Sequence, residues 1–380
     1  MKFLHTADLH IGKKIFEQSL IEEQRFILDE IYRIAAEERV DAVVIAGDVY
    51  DRAVPPTEAV TLLDSFLTRL IEKKIPVLMV SGNHDSPERL AFGEKILEPQ
   101  GLYVAGTLEE PPRTVTLEDE YGPVTFVLLP FVKPAVAGAD SSTEAVEKIL
   151  GKMPVTLNLN SRYVLVTHFF VTGDNGENPE LSDSECDSRA GGLDGVPARL
   201  FQNFSYAALG HIHKPQHMGT GKAYYSGSPL KYSFSEALTE KSVNIVELGE
   251  PVGAKVTVRR LPLKPMRDMR CVRGRLEELM KPETVEANRG RLEDYLQVTL
   301  TDTEELIDPI GTLRSVYPNV LQILLEKNRT GEDTEYESRI AGKRKSISEL
   351  FEDFYELLKG EPMDEKRREI VAETVRRIEE

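Results

Sequence analysis

Residues 42–51 read AVVIAGDVYD: five apolar residues, a glycine, then two aspartates three positions apart. A run of this length and β-branched content predicts a buried strand, with Asp48 just past its carboxyl end. The arrangement recurs along the chain. Phe3 and Leu4 lead to Asp8 and His10; residues 76–80, PVLMV, lead to Gly82-Asn83-His84-Asp85. Residues 163–166, YVLV, lead to Thr167-His168, and 206–209, YAAL, lead to Gly210-His211-Ile212-His213. Between the first three runs, Ile27, Ile31, Ile34 and Ala35 have helical spacing, as do Val60, Leu63, Phe66, Leu67 and Leu70. Strand alternating with helix implies an α/β sheet whose faces are covered by helices. Ligands of such sheets collect outside the carboxyl ends of the strands, and every polar cluster here lies at such an end.

Five of the seven histidines sit in these clusters, and no thiol does. Imidazole, carboxylate and carbonyl donors without sulfur favour Mn, Fe or Zn over soft metals, and this many histidines do not suit Ca²⁺ alone. Asp8 and His10 are two apart; if the strand continues, both side chains face one way and reach one ion. His211 and His213 repeat the spacing. Asp48 has two oxygens and can bridge two ions, Asn83 offers a carbonyl oxygen, and His168 adds a nitrogen. A pair of ions ~3.5–4 Å apart activates water, neutralises phosphate oxygens and aligns phosphorus with the nucleophile. His84 is then the candidate catalytic residue, because an imidazole, titrating in general near ~6.5, suits a general acid. Asp85 is expected to orient a neighbouring group, and Asp51 to support the site by hydrogen bonding rather than as a ligand. An isolated Asp-x-His arises often by chance. The specific signal is the ordered series GDxxD, GNHD and GHxH, each behind a strand. His5 is expected to be structural, His217 to lie in a surface loop, and Cys186 to be an ordinary thiol.

A chain of 380 residues holds two or three domains, and 41% hydrophobic with 29% charged residues is ordinary for a globular protein. A net charge of −17 argues against a nucleic-acid binder basic over its whole surface, but leaves room for a local basic rim. Cys186 and Cys271 have no CxxC partner, so a disulfide scaffold is not expected and a reducing cytoplasm is. The first residues turn polar at once, so no signal peptide is expected, and no run reaches the ~18 apolar residues of a membrane span. Residues 174–196, rich in Gly, Asp, Ser and Asn, are expected to form a surface loop. Runs at 269–276 and 296–300 predict a small α+β domain over 263–330. Residues 328–345 have the composition of a linker, with Lys343, Arg344 and Lys345 solvated. Ile347, Leu350, Phe351, Phe354, Tyr355 and Leu358 form a helical stripe, broken at Gly360 and Pro362. Ile370, Val371, Val375 and Ile378 form a second. Their pattern alone leaves open whether these helices fold back or present aromatic knobs to another chain.

The order DxH, GDxxD, GNHD, lone His, GHxH resembles that of the calcineurin-like metallophosphoesterases. More finely, HTADLHIGK, AGDVYDRAVPP, VSGNHDSPERL and GHIHKPQ followed by YSGSPLKYSFSE resemble the SbcD nuclease family over residues 1 to about 260. This resemblance implies an α/β (α+β sandwich) fold: a two-sheet core flanked by helices over 1–262, then a DNA-capping domain at 263–330. A linker at 331–345 would lead to a C-terminal helix-loop-helix at 346–380. It implies two divalent ions, usually Mn²⁺, one held by Asp8, His10, Asp48 and His213, the other by Asp48, Asn83, His168 and His211. It implies a 3′→5′ double-strand exonuclease that also cuts single strands and hairpins. Its implied partner is an SbcC-type SMC-like ATPase whose coiled coil takes the terminal helices, in a heterotetramer built on a homodimer. Where archaeal and eukaryotic relatives carry histidine in the GDxx(H/D) segment this chain has Asp51, so no histidine role carries over there. Lys13, Lys14, Arg52, Arg89, Lys214 and Lys231 flank the metal loops as candidate DNA contacts. The competing readings are a phosphatase or cyclic-nucleotide phosphodiesterase, which has no need of about 120 further residues, and a non-catalytic scaffold, which has no need of His84.

Overall fold

The structure, a computed structural model, describes residues 1–153, 162–186, 194–219, 221–250, 256–326, 351–352, 354–355, 359 and 362–379. Two six-stranded sheets make its frame. The first runs, edge to edge, Val256–Pro262, Ser242–Leu248, Lys2–Thr6, Ala42–Ala46, Val77–Val80, Leu102–Ala105. Its last four strands are parallel, and Ser242–Leu248 is antiparallel to both neighbours. The second runs Gln216–Met218, Ala223–Tyr225, Tyr206–Leu209, Arg162–Thr167, Gly122–Leu129, Arg113–Asp119. Here four inner parallel strands are flanked by antiparallel edges.

Alternation along each strand divides the side chains between two cores. Leu4, Val43, Ile45, Val77 and Met79 pack with the helices Ile21–Glu38 and Thr57–Glu72. Their neighbours Phe3, Ala42, Val44, Leu78 and Val80 join Phe126, Leu128, Val164, Val166, Tyr206 and Ala208 in the core between the sheets. On the far side Val127, Leu165 and Leu209 pack with Val146 and Ile149 of the helix Ser142–Gly151. Strands covered on both faces must be apolar throughout, which is why they stand out in the sequence. The Phe3 ring meets Phe126 and Tyr206 edge-on at 5.5 and 5.7 Å. Each fully buried side chain of this size contributes roughly 1.5–3 kcal/mol, enough in sum to hold polar strand tips that are themselves costly to bury.

The strands and helices expected before residue 327 form. Residues 174–181 form the irregular, largely exposed loop expected of them, but the rest of the 174–196 stretch departs from it. Val171–Thr172 pairs with Val196–Pro197, Asp183–Cys186 makes a helical turn, and Ser182 and Glu185 are buried; residues 187–193 lie outside those described. His217 is exposed, but on the strand Gln216–Met218 rather than in a loop.

A third sheet, Met269–Gly274, Tyr295–Leu300, Val320–Leu325, carries helical segments Leu276–Leu279, Pro282–Ala287 and Pro309–Arg314. It is tied to the core by the Tyr295 hydroxyl, which donates to Glu23 at 2.7 Å, and by Lys231, which donates to Asp268 at 2.8 Å. Two compact units result: Met1–Thr299 with Asp308–Leu324, and Leu300–Ile307 with Leu325–Glu380. In the second unit the helix Glu365–Glu379 is joined by Arg368 to Glu352 at 3.2 Å, and the Phe351 and Phe354 rings lie 6.4 Å apart. The linker at 331–345 with its Lys343-Arg344-Lys345 run, and the stripe positions Ile347, Leu350 and Leu358, lie outside the described residues. Among the described residues no helix is long and apolar enough to cross a membrane.

Candidate metal centre

The five clusters meet where the parallel strands of both sheets end. They are not carried there by continued strands. The strand Lys2–Thr6 stops before Asp8, and Asp8, His10, Asp48 and His211 take positive φ of 53°, 43°, 48° and 99°. Alternation therefore does not set the direction of Asp8 and His10, or of His211 and His213. Left-handed non-glycine residues cost of order 1–3 kcal/mol each and persist where the surroundings hold them. Here the Asp8, His10 and Ile11 amides donate to the carbonyls of Gly47, Asp48 and Val49 at 3.0, 3.0 and 2.9 Å. Two glycines make room: a Cβ on Gly47 would lie 2.3 Å from His168 Nδ1, and one on Gly210 would lie 1.9 Å from the Ala46 oxygen.

Two groups of donor atoms face one another across Asp48. On one side His10 Nε2 lies 3.2 Å from His213 Nε2 and 3.6 Å from Asp48 Oδ2, and ligand atoms of Asp8, His10 and His213 fall within 4.8 Å of one another. On the other, Asn83 Oδ1 lies 3.1 Å from His168 Nε2 and 3.0 Å from His211 Nδ1. His168 Nε2 is also 3.3 Å from Asp48 Oδ2. Asp48 Oδ1 is committed to the His84 amide at 2.9 Å, so Oδ2 is the oxygen shared by both groups.

The donors fit divalent cations. His168 Nδ1–H donates to the Ala46 carbonyl at 2.8 Å, so the neutral ring would carry its lone pair on Nε2, facing Asn83 and Asp48. Asp8 Oδ1 accepts the His211 amide at 2.9 Å, while its Oδ2 is buried with no partner. Orphaned buried polar atoms are rare and require an explanation, and a cation provides it. The protonation states agree. Burial pushes the Asp8 carboxyl up to about 6. Burial also pushes His10 well below its ordinary range and His211 down to about 3. Against burial, the Asp48 carboxylate raises His168 to about 9, and His168 in turn holds Asp48 well below the usual carboxylate range. Bound protons thus occupy the place that metal charge would take.

Around these donors, Asp85 accepts the amides of Val49, Tyr50 and Gly82 at 3.1, 2.9 and 2.9 Å and so locks two metal loops together. The Asp51 carboxylate accepts from Lys13 at 2.7 Å and lies 3.6 Å from His10 Nδ1. The Asp51 carbonyl accepts His84 Nδ1–H at 3.0 Å. His5 stays apart, buried, with Nδ1 2.9 Å from the Tyr206 hydroxyl. Of the candidate DNA contacts, Lys14, Arg52 and Arg89 are exposed, and Lys214 pairs with Glu180. The Lys231 ammonium is taken by Asp268 and the Ala237 carbonyl. Sequence reasoning missed Ser184, Glu185, Glu236 and Lys241, which all touch His213 or its neighbours. Glu236 closes the YSGSPLKYSFSE stretch and carried that much signal; Ser184, in a polar segment, carried none.

A two-sheet core with a histidine–aspartate cluster at converging strand ends defines a metallophosphoesterase, and residues 1–215 match the calcineurin-like phosphoesterase family. Residues 265–358 match the type 5 capsule protein repressor C-terminal domain. The chain is 31% identical over 363 residues to the SbcD subunit of the SbcCD nuclease of Staphylococcus epidermidis, spanning 93% of this chain and 92% of that relative. It is 32% identical over 374 residues to the same-named protein of Staphylococcus saprophyticus, spanning 95% and 94%. A solved structure from Thermus thermophilus aligns with 68% of this chain and 98% of its own at 13% identity and a TM-score of 0.40. This chain belongs to the SbcD nuclease family, within the calcineurin-like phosphoesterases, and is a metal-dependent phosphodiesterase.

Proposed function

We propose that this chain is the nuclease subunit of a DNA-end-processing complex, using two divalent cations, Mn²⁺ in the first instance. Asp8, His10, Asp48 and His213 would hold one ion, and Asp48, Asn83, His168 and His211 the other. The observation that carries this reading is Asp48 Oδ2, set 3.6 Å from His10 Nε2 and 3.3 Å from His168 Nε2. Bound there, the ions would supply the charge that neutralises a phosphodiester and acidifies water. The chain's own residues supply the rest. His84 is pinned at both ends, by its amide to Asp48 and by Nδ1 to the Asp51 carbonyl, so Nε2 is the atom free to move a proton. Its side chain is 37% exposed, which leaves it facing the cleft where a leaving alkoxide would need that proton. Exposed Lys14, Arg52 and Arg89 are available to phosphates at the rim, as Lys13 and Lys214 would be if drawn from Asp51 and Glu180.

The small sheet after the catalytic core favours DNA over a small phosphate ester, since a phosphatase of this class does not require it. We assign 1–262 to the nuclease domain, 263–330 to a domain capping the DNA, 331–345 to a linker and 346–380 to the partner-binding segment. Purified chain with Mn²⁺ is expected to cut labelled hairpin DNA and duplex 3′ ends far faster than a simple aryl phosphate. The reverse preference would return the phosphatase reading. For the final segment, Phe351, Phe354 and Ile370 are 48, 53 and 57% exposed, an apolar surface suited to the coiled coil of an SbcC-type SMC-like ATPase. Deleting 346–380 is expected to leave Mn²⁺-dependent cleavage of short DNA intact and to abolish co-purification with that ATPase. Undiminished co-purification would move the interface elsewhere. Exposed Phe26 and Val60 on the two helices of the first sheet support the homodimer of a heterotetramer.

A further inference from the structure

We propose that Ser184 and Glu236 are positioning residues for His213, holding its ring in the one tautomer that can ligate a cation through Nε2. The inference rests on the reading of His213 as a metal ligand.

The argument is one of hydrogen counting. A serine hydroxyl has a single hydrogen and two lone pairs. Ser184 Oγ donates to Glu236 Oε1 at 2.8 Å, and ionised Glu236 can only accept. Ser184 Oγ is also 2.9 Å from His213 Nδ1, so Nδ1 must carry the hydrogen of that bond. Ser182 Oγ, 2.6 Å away, must likewise donate to it. With Nδ1 protonated, the neutral ring presents its lone pair at Nε2, the atom 3.2 Å from His10 Nε2 in the group formed with Asp8. A hydrogen bond on the distal nitrogen is the usual device by which a protein fixes a metal-binding imidazole.

Glu236 is held in turn. Its carboxylate is buried and accepts the Tyr232 amide at 3.2 Å on Oε1, while Oε2 takes the Lys241 ammonium. Lys241, also buried, gives its remaining hydrogens to Ser228 Oγ and to the His213 carbonyl, both at 2.8 Å. The His213 amide donates to Glu185. His213 is therefore gripped at its amide, its carbonyl and its ring, and among the described residues Ser184 and Glu236 are the ones that reach the ring nitrogen that sets the tautomer. The turn Asp183–Cys186 and the end of YSGSPLKYSFSE acquire a purpose from this. Neither borders the cleft as a cation ligand; both back one.

The test uses the full chain and Mn²⁺ alone, titrated calorimetrically into the wild type and into Ser184→Ala, Ser184→Thr and His213→Ala. Ser184→Ala leaves the buried Glu236–Lys241 pair intact, so the variant keeps its fold. It is expected to weaken one of two Mn²⁺ sites about 10- to 100-fold, with the other unchanged and Ser184→Thr restoring the first. In metal-free protein, nitrogen-15 correlation spectra of His213 are expected to show an Nδ1–H ring in the wild type and Ser184→Thr, lost in Ser184→Ala. An Nε2–H ring in the wild type overturns the proposal. So does Ser184→Ala that binds both ions as the wild type does, or weakens both alike, while His213→Ala loses one. If His213→Ala also binds both ions normally, the ligand reading fails and takes the proposal with it.

Discussion

Asp48→Asn is expected to lower divalent-cation affinity by about 10²–10⁴-fold and to leave at most one ion per chain, with DNA cleavage lost at the same Mn²⁺ concentration. The substitution changes charge while preserving shape. The amide oxygen can still accept from the His84 amide, now 2.9 Å from Asp48 Oδ1. The amino group then falls where Oδ2 stood, and it aims hydrogens toward His10 and His168 in place of a shared lone pair. Removing one member of a buried pair of opposite charges costs about 3–5 kcal/mol, which corresponds to about 10²–10⁴ in affinity. The metal-free protein gives an independent check. Despite its burial, His168 is raised to about 9, chiefly by Asp48. A group whose folded pKa is raised contributes stability that is complete below its unfolded value, ~6.5 for histidine, and is lost as pH climbs through the folded value. Wild type should therefore exceed Asp48→Asn in metal-free thermal stability by more at pH 6 than above pH 9. Equilibrium dialysis with elemental analysis reads the main effect, and two ions retained per variant chain would remove Asp48 from the shared position.

The parts of this molecule that the sequence makes legible are those where burial dictates residue type. Residues 42–46 and 206–209 are covered on both faces, so every position must be apolar, and the strands emerge with the limits expected. The edge strands are the opposite case. Arg113–Asp119 and Val256–Pro262 are largely half-buried or exposed and carry arginine and threonine, the first with two acidic residues and the second with a proline, so their composition does not mark them off as buried strands. The site was legible as an inventory of donors and not as a geometry. Nothing in DLH or GDV announces that Asp8, His10 and Asp48 adopt a left-handed backbone, which non-glycine residues take only when tertiary contacts hold them there. Lys231 shows the same gap from another side. Its place beside the metal loops in sequence suggested a phosphate contact, yet the direction of a lysine side chain is chosen by its partners, here Asp268 and two carbonyls. Ser184 is the extreme case: a hydroxyl 29 positions from His213 becomes its hydrogen-bond partner where the turn Asp183–Cys186 comes to lie against the ring.

His84→Gln is expected to reduce cleavage of DNA by about 10²–10⁴-fold, the usual contribution of a positioned general acid, with Mn²⁺ stoichiometry and DNA affinity close to those of the wild type. Retention of metal follows from geometry. The bond from residue 84 to Asp48 is made by the backbone amide, so it survives the change. The ring packs edge-on to His10 at 4.8 Å but is 37% exposed, so its loss opens no buried cavity. What glutamine cannot do is release a proton at neutral pH. The decisive comparison is between leaving groups. A DNA 3′ or 5′ alkoxide is a strong base and departs slowly unless protonated as its bond to phosphorus breaks. A nitrophenolate departs without help, so on bis(4-nitrophenyl) phosphate the variant should lose far less. A loss of equal size on both substrates would mean that His84 orients the phosphate and gives no proton to the departing oxygen. An unchanged rate on DNA would remove it from the reaction altogether. The contrast separates proton transfer from positioning because the two substrates share the same phosphodiester charge and differ chiefly in whether the departing oxygen needs a hydrogen.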